Sequence, residues 1–149
     1  MSVEVTQQPE LRIGAIRHIG PYHLIGDAFG RLGNILKGAS PAGTQMIALY
    51  HDDPDTTESK NLRSDAGITL PGHTPCPNGL IEHRVPAGKY AKVVHKGSYE
   101  GLPDAWNGLK KEWLPASGYK GTASYEIYVN NPMTTQKDDL LTEIYLRLE

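Results

Sequence analysis

The chain repeats itself, and that repeat restricts its fold more than any other feature of the sequence. Shifted by 77 positions, HIGPYHLIGDAFGRL, which begins at His18, falls on HKGSYEGLPDAWNGL, which begins at His95. His18, Gly20, Tyr22, Asp27 and Leu32 recur as His95, Gly97, Tyr99, Asp104 and Leu109, and Phe29 is answered by Trp106. Further along the shift becomes 78, as one extra loop residue would cause: LYHDDP from Leu49 lies on IYVNNP from Ile127, and Asp65 lies on Glu143. A period of this length is the signature of one supersecondary unit written twice. Both copies must therefore solve the same packing problem.

The spacing of apolar residues within each copy says what that unit is. Tyr99, Leu102, Trp106, Leu109 and Trp113 advance by alternate threes and fours, which lines one face of a helix. Tyr22, Ile25, Phe29, Leu32 and Leu36 do the same in the first copy, with Gly38 as the stop. Pro103 is acceptable in a first helical turn, where its missing N–H costs nothing. Short apolar runs predict strands at 11–19, 45–50 and 65–70, and again at 80–85, 90–95, 125–129 and 141–148. VPAGKY, residues 85–90, reads as a hairpin turn. The pattern predicts an α+β fold of duplicated strand-helix-strand-strand units, an antiparallel sheet with two main helices. Residues 1–149 form one domain on this reading: repeat one over 1–70, a Pro- and Gly-rich linker over 71–79, and repeat two over 80–149.

Composition removes several classes of function. The formal charge of -2 provides no basic field to neutralise phosphates or anionic lipid, so neither nucleic acid nor membrane is an expected partner. Cys76 is the lone cysteine, which fits a reducing, cytoplasmic setting. The N-terminus lacks the basic start and apolar run of a signal peptide, and no stretch reaches the roughly 20 apolar residues of a membrane span. None of the six histidines sits in an H-x-x-x-H or H-x-H arrangement, so no metal is expected. The acidic loop at 51–58 lacks EF-hand spacing. No phosphate-binding or dinucleotide glycine pattern is present, and no cofactor is expected.

The candidate chemistry lies in carboxylates and aromatics. Strand alternation puts Glu143 and Tyr145 on one face of the last strand, with Arg147, and Ile144, Leu146 and Leu148 on the other. Glu143 is then either solvated or paired with Arg147, or it is the charge anchor of an aromatic cavity. In the second case an organic cation gains from the carboxylate and from ring faces worth ~0.5–2 kcal/mol each. Eight tyrosines against one phenylalanine favour hydroxyls that face solvent or a ligand. Tyr128, which shares a strand face with Glu126 and Asn130, and Trp106 complete the candidate ligand-binding set with Glu143 and Tyr145.

The duplicated pattern resembles the GyrI-like family, the small-molecule-binding domain of DNA gyrase inhibitory proteins and of effector-binding domains in AraC-type and MerR-type regulators. RIGAIRHIGPY, ALYHDDPDTTESKNLRSDAGITLPG, PAGKYAKVVHKGSYE, YEIYVNNP and TEIYLRL carry the resemblance over nearly the whole chain. It implies a pseudo-twofold groove between the units with a last-strand carboxylate, here Glu143, at its centre. It implies binding of bulky apolar or cationic aromatic compounds, linked to gyrase inhibition or toxin resistance, with DNA gyrase as a candidate partner. Some relatives are hydrolases that open cyclopropane-containing genotoxins; on that alternative Glu143 is the general base and Tyr128 the proton donor. The module begins almost at Met1, where the regulators carry a DNA-binding domain ahead of it, so regulation of transcription by this chain alone is not expected.

Overall fold

A computed structural model describes residues 2–38 and 40–149. Its strands are β1 (Glu4–Gln8), β2 (Leu11–Ile19), β3 (Met46–Tyr50), β4 (Arg63–Thr69), β5 (Ile81–Val85), β6 (Gly88–Lys96), β7 (Gly121–Tyr128) and β8 (Leu141–Leu148). The main helices are α1 (Gly26–Leu36) and a longer rod made of α2 (Leu102–Asn107), a π-helical stretch (Gly108–Trp113) and α3 (Leu114–Ser117). Two compact units emerge: Pro9–Pro86, and Ala87–Glu149 together with the residues up to Gln8.

In the Pro9–Pro86 unit the antiparallel order is β3-β4-β2-β5. The helix stripe read from the sequence is the one that is buried: Leu32 packs on Ile68 and Leu70, flanked by Phe29 and Leu36. Lys37 takes the left-handed conformation at φ 51°, and Gly38 follows at φ 75°, so the helix ends where glycine was expected to end it. At Gly67 an added Cβ would lie 2.5 Å from the carbonyl oxygen of Gly14, which explains a glycine in the middle of β4.

The second unit has the antiparallel order β1-β6-β8-β7. Leu102 and Leu109 of the helical rod are buried against Ala91 and Val93 of β6 and Ile144, Leu146 and Leu148 of β8. Pro103 sits in the first turn of α2. The π-turn has a local cause. The amide of Leu114 donates to the carbonyl of Leu109, five residues back, and Pro115 follows immediately. In regular α-helical spacing the Pro115 ring would be driven at the carbonyl four residues earlier; a widened turn relieves that clash.

Repeat-equivalent details match closely. The His18 ring bonds the Pro21 carbonyl at 3.0 Å, and the His95 ring bonds the Ser98 carbonyl at 2.8 Å. Gly20 and Gly97 both have positive φ and donate their amides to Leu62 and Leu140, each at 2.8 Å. Two features differ from the sequence reading. Residues 85–90 do not close a hairpin, because β5 pairs with β2 while β6 pairs with β1 and β8. The leading strand of each copy is also exchanged: β1 joins the unit built from the second copy, and β5 joins the unit built from the first.

Candidate functional site

Strand register decides which side chains meet. Opposed residues of paired strands project from the same face, and Glu126 lies opposite Ile144, Tyr128 opposite Thr142. Ile144 belongs to the core against the helical rod, so Glu126 and Tyr128 face that rod, as Trp106 of α2 does from the other side. Glu143 is opposite Ile127 and Tyr145 is opposite Tyr125, which puts both on the reverse face. The four residues singled out from the sequence therefore form two groups, and Glu143 and Tyr128 cannot act together on one bond.

The first group is organised by a carboxylate that sequence reasoning had placed only as a neighbour of Tyr128. Glu126 is 4% exposed. The indole Nε1 of Trp106 donates to its Oε1 at 2.5 Å, and the Tyr128 hydroxyl donates to its Oε2 at 2.7 Å. Hydrogen bonds to a charged group contribute ~1.5–3 kcal/mol each, so this arrangement fixes both rings as well as the carboxylate. The Tyr99 ring leans on Tyr128 with centroids 5.4 Å apart. Burial, and secondarily the charge of Glu126, raise the Tyr99 hydroxyl above the ordinary tyrosine range. That hydroxyl is buried with no hydrogen-bond partner among the described residues. Its first-copy counterpart, Tyr22, instead donates to the Asp52 carbonyl at 2.6 Å and accepts from the Asp52 amide at 2.9 Å. Lys110, one turn after Trp106, holds its ammonium 5.2 Å from the centre of the indole ring.

The copies differ where this cluster sits. Under the 78 shift Glu126 falls on Ala48, and under the 77 shift Trp106 falls on Phe29. Where the first copy has no carboxylate it also has no indole N–H. This joint change is the sequence signal that could have found Glu126: a charged residue at a core-facing strand position, beside an aromatic that gains a donor.

On the reverse face, Glu143 is an ion-paired residue. The Lys92 ammonium lies 3.3 Å from its Oε2, the Tyr145 hydroxyl donates to its Oε1 at 3.0 Å, and both Glu143 and Lys92 are a quarter exposed. Tyr145 stacks on Tyr125 at 4.6 Å and meets Tyr90 edge-on. Burial, then the charge of Glu143, raise the Tyr145 hydroxyl well above its usual range. Asp65, the counterpart of Glu143, is fully buried and accepts from Arg17 Nε at 2.7 Å and His51 Nε2 at 2.5 Å. Among the described residues no group of three His, Cys, Asp or Glu side chains is placed to hold a metal ion, and no helix is long and apolar enough to cross a membrane.

Comparison with known proteins agrees with this architecture. A DNA gyrase inhibitor from Yersinia enterocolitica is 31% identical over 138 residues, covering 88% of each chain. The crystal structure of the EcmrR C-terminal domain superposes with a TM-score of 0.79 at 22% identity, over 99% of this chain and 97% of that one. The structure of SAV2435 bound to tetraphenylphosphonium superposes with a TM-score of 0.71 at 12% identity, over 100% of this chain and 94% of that one. The GyrI-like small molecule binding domain model matches residues 1–149. A duplicated unit of this order, matched by the family model from end to end, makes the chain a member of the GyrI-like small-molecule-binding domain family.

Proposed function

We propose that this protein binds bulky, apolar organic cations, with Glu126 as the charge anchor and Trp106, Tyr128 and Tyr99 as the aromatic wall. The observation that carries the reading is the buried Glu126 carboxylate, held by an indole and a phenol in a setting of rings. A cation with aromatic substituents is attracted to such a place three ways: by the carboxylate, by ring faces, and by removal of its own apolar surface from water. The tetraphenylphosphonium in the SAV2435 structure is a ligand of this chemical class. Calorimetric titration with tetraphenylphosphonium tests the anchor. Glu126→Gln is expected to weaken binding roughly tenfold to a hundredfold, the scale of one charge contact in a low-dielectric site. Glu143→Gln, on the reverse face, is expected to leave it within about twofold. The opposite ranking would move the anchor to Glu143.

A second reading, inhibition of DNA gyrase by direct contact, is favoured by the name of the Yersinia enterocolitica relative. On this reading purified protein slows gyrase supercoiling of relaxed plasmid in a dose-dependent manner. An unchanged rate at large molar excess would eliminate it.

A further inference from the structure

Strand β5 closes one side of the Pro9–Pro86 unit and pairs only with β2 among the described residues, so its far edge is a row of backbone groups without a sheet partner. The register identifies the residues of that edge. The Arg12 carbonyl accepts from the Leu70 amide, so Arg12 and Gly14 turn their backbone groups toward β4, and Leu11, Ile13 and Ala15 turn theirs toward β5. Those three lie opposite Val85, His83 and Ile81, which leaves the amides and carbonyls of Glu82 and Arg84 pointing outward. The same two residues carry opposite charges on one exposed face of the strand. Turned about a twofold axis at His83, a second copy of β5 runs antiparallel to the first and lays its Arg84 against Glu82 and its Glu82 against Arg84. Both members of each pair have outward backbone groups and can exchange N–H···O bonds, so the register that matches the charges is one the backbone can make. Ile81, 64% exposed, comes to lie against Val85 of the second copy. Within the chain Glu82 is bound by Arg12, and Arg84 binds Glu10 through one terminal nitrogen. Across the junction the charges then alternate as Glu10, Arg84, Glu82, Arg12, the last two from the second copy. Strand β1 also has one partner, but its single charge, Glu4, gives its edge no such symmetry.

We propose that two copies of this protein associate through antiparallel pairing of β5 with β5, which extends the sheet of one Pro9–Pro86 unit into that of the other. A strand of five residues buries little surface, so the dimer is weak and forms as concentration rises. Sedimentation equilibrium of the full chain from about 1 μM to about 1 mM measures it. Glu82→Arg and Arg84→Glu each set like charges opposite one another in both symmetric pairs, and each is expected to weaken self-association on the order of tenfold or more. An equimolar mixture of the two variants opposes unlike charges again and is expected to recover association to within about twofold of the parent. Thermal melts check that each variant is folded; both positions are exposed, so little stability is at stake. A parent that stays monomeric at the highest concentration would overturn the proposal. A dimer indifferent to both reversals would overturn it too, by placing the interface elsewhere, and reversals that weaken the dimer with no recovery on mixing would refute the register on which it rests.

Discussion

Asp65 and Glu143 occupy the same position in the two copies and are both ion-paired carboxylates, but Asp65 is fully buried and Glu143 a quarter exposed. Burial alone would push the Asp65 carboxyl up, but hydrogen bonds from His51 and Arg17 outweigh that and hold it below the ordinary carboxylate range. A native value below the unfolded value of ~3.9 means that the unfolded chain binds the proton more readily. The stability contributed by Asp65 is therefore complete at neutral pH, begins to decline as pH falls through the unfolded value, and is gone below the native one. Asp65→Asn is expected to cost about 2–3 kcal/mol at neutral pH, less than a fully buried pair because Arg17 and His51 are both partly exposed. The same variant should lose less than wild type on going to about pH 3. Urea denaturation at the two pH values measures both, and equal acid sensitivity would mean that another carboxylate dominates. The pairing of Asp65 with Glu143 was legible from the repeat, and so was the face that each shares. Which face held the aromatic carboxylate cluster was not: alternation separates the two sides of a strand without saying what packs on either. Glu126 looked like one more strand residue until the helical rod brought Trp106 to it.

At the level of elements, the local signals were reliable and the non-local ones were absent from the sequence. The bounds expected for β2 and β8 are those observed, and the helix stripes through Leu32 and Leu109 are the buried ones. Each of those readings depends on residues a few positions apart. Pairing partners depend on residues far apart, which explains why VPAGKY read as a hairpin: a Gly- and Pro-containing break between two strands has the same composition whether the chain turns back or moves on. The π-turn is not legible in the sequence for a related reason. Steps of three and four along the stripe suit an α-helix and a widened turn equally, and only Pro115, out of phase with an uninterrupted helix, hinted at the difference. That turn also holds Lys110, whose ammonium lies over the Trp106 ring.

Across the whole molecule, duplication preserved the frame and released the contents. The histidine and glycine hydrogen bonds at the strand ends are the same in both copies. The interior differs: Ala48 and Phe29 in one copy, Glu126 and Trp106 in the other. One copy could keep the frame stable while the other took on a buried charge, whose cost falls on stability. Membership in the GyrI-like family was legible because the frame is what the repeat and the loop motifs record.

The exchange of leading strands has a topological consequence. Since β1 completes the sheet of Ala87–Glu149, the order of segments along the chain is not the order in which they belong together. A circular permutant that begins at Ala87, runs through Glu149 and a linker into the original N-terminus, and ends at Pro86 would make each unit contiguous. Thr6 and Arg147 both face Tyr90, so β1 and β8 flank β6 and run parallel, and a linker of about eight to ten Gly and Ser residues spans the return. This permutant is expected to melt cooperatively within about 1–2 kcal/mol of the parent and to retain tetraphenylphosphonium binding. A fragment of residues 80–149 is expected to do neither, because it carries β5 away from its partner and leaves the β6 edge open. Circular dichroism melts of the two proteins would show whether the fold requires its segments in their present order along the chain or only in their present pairing.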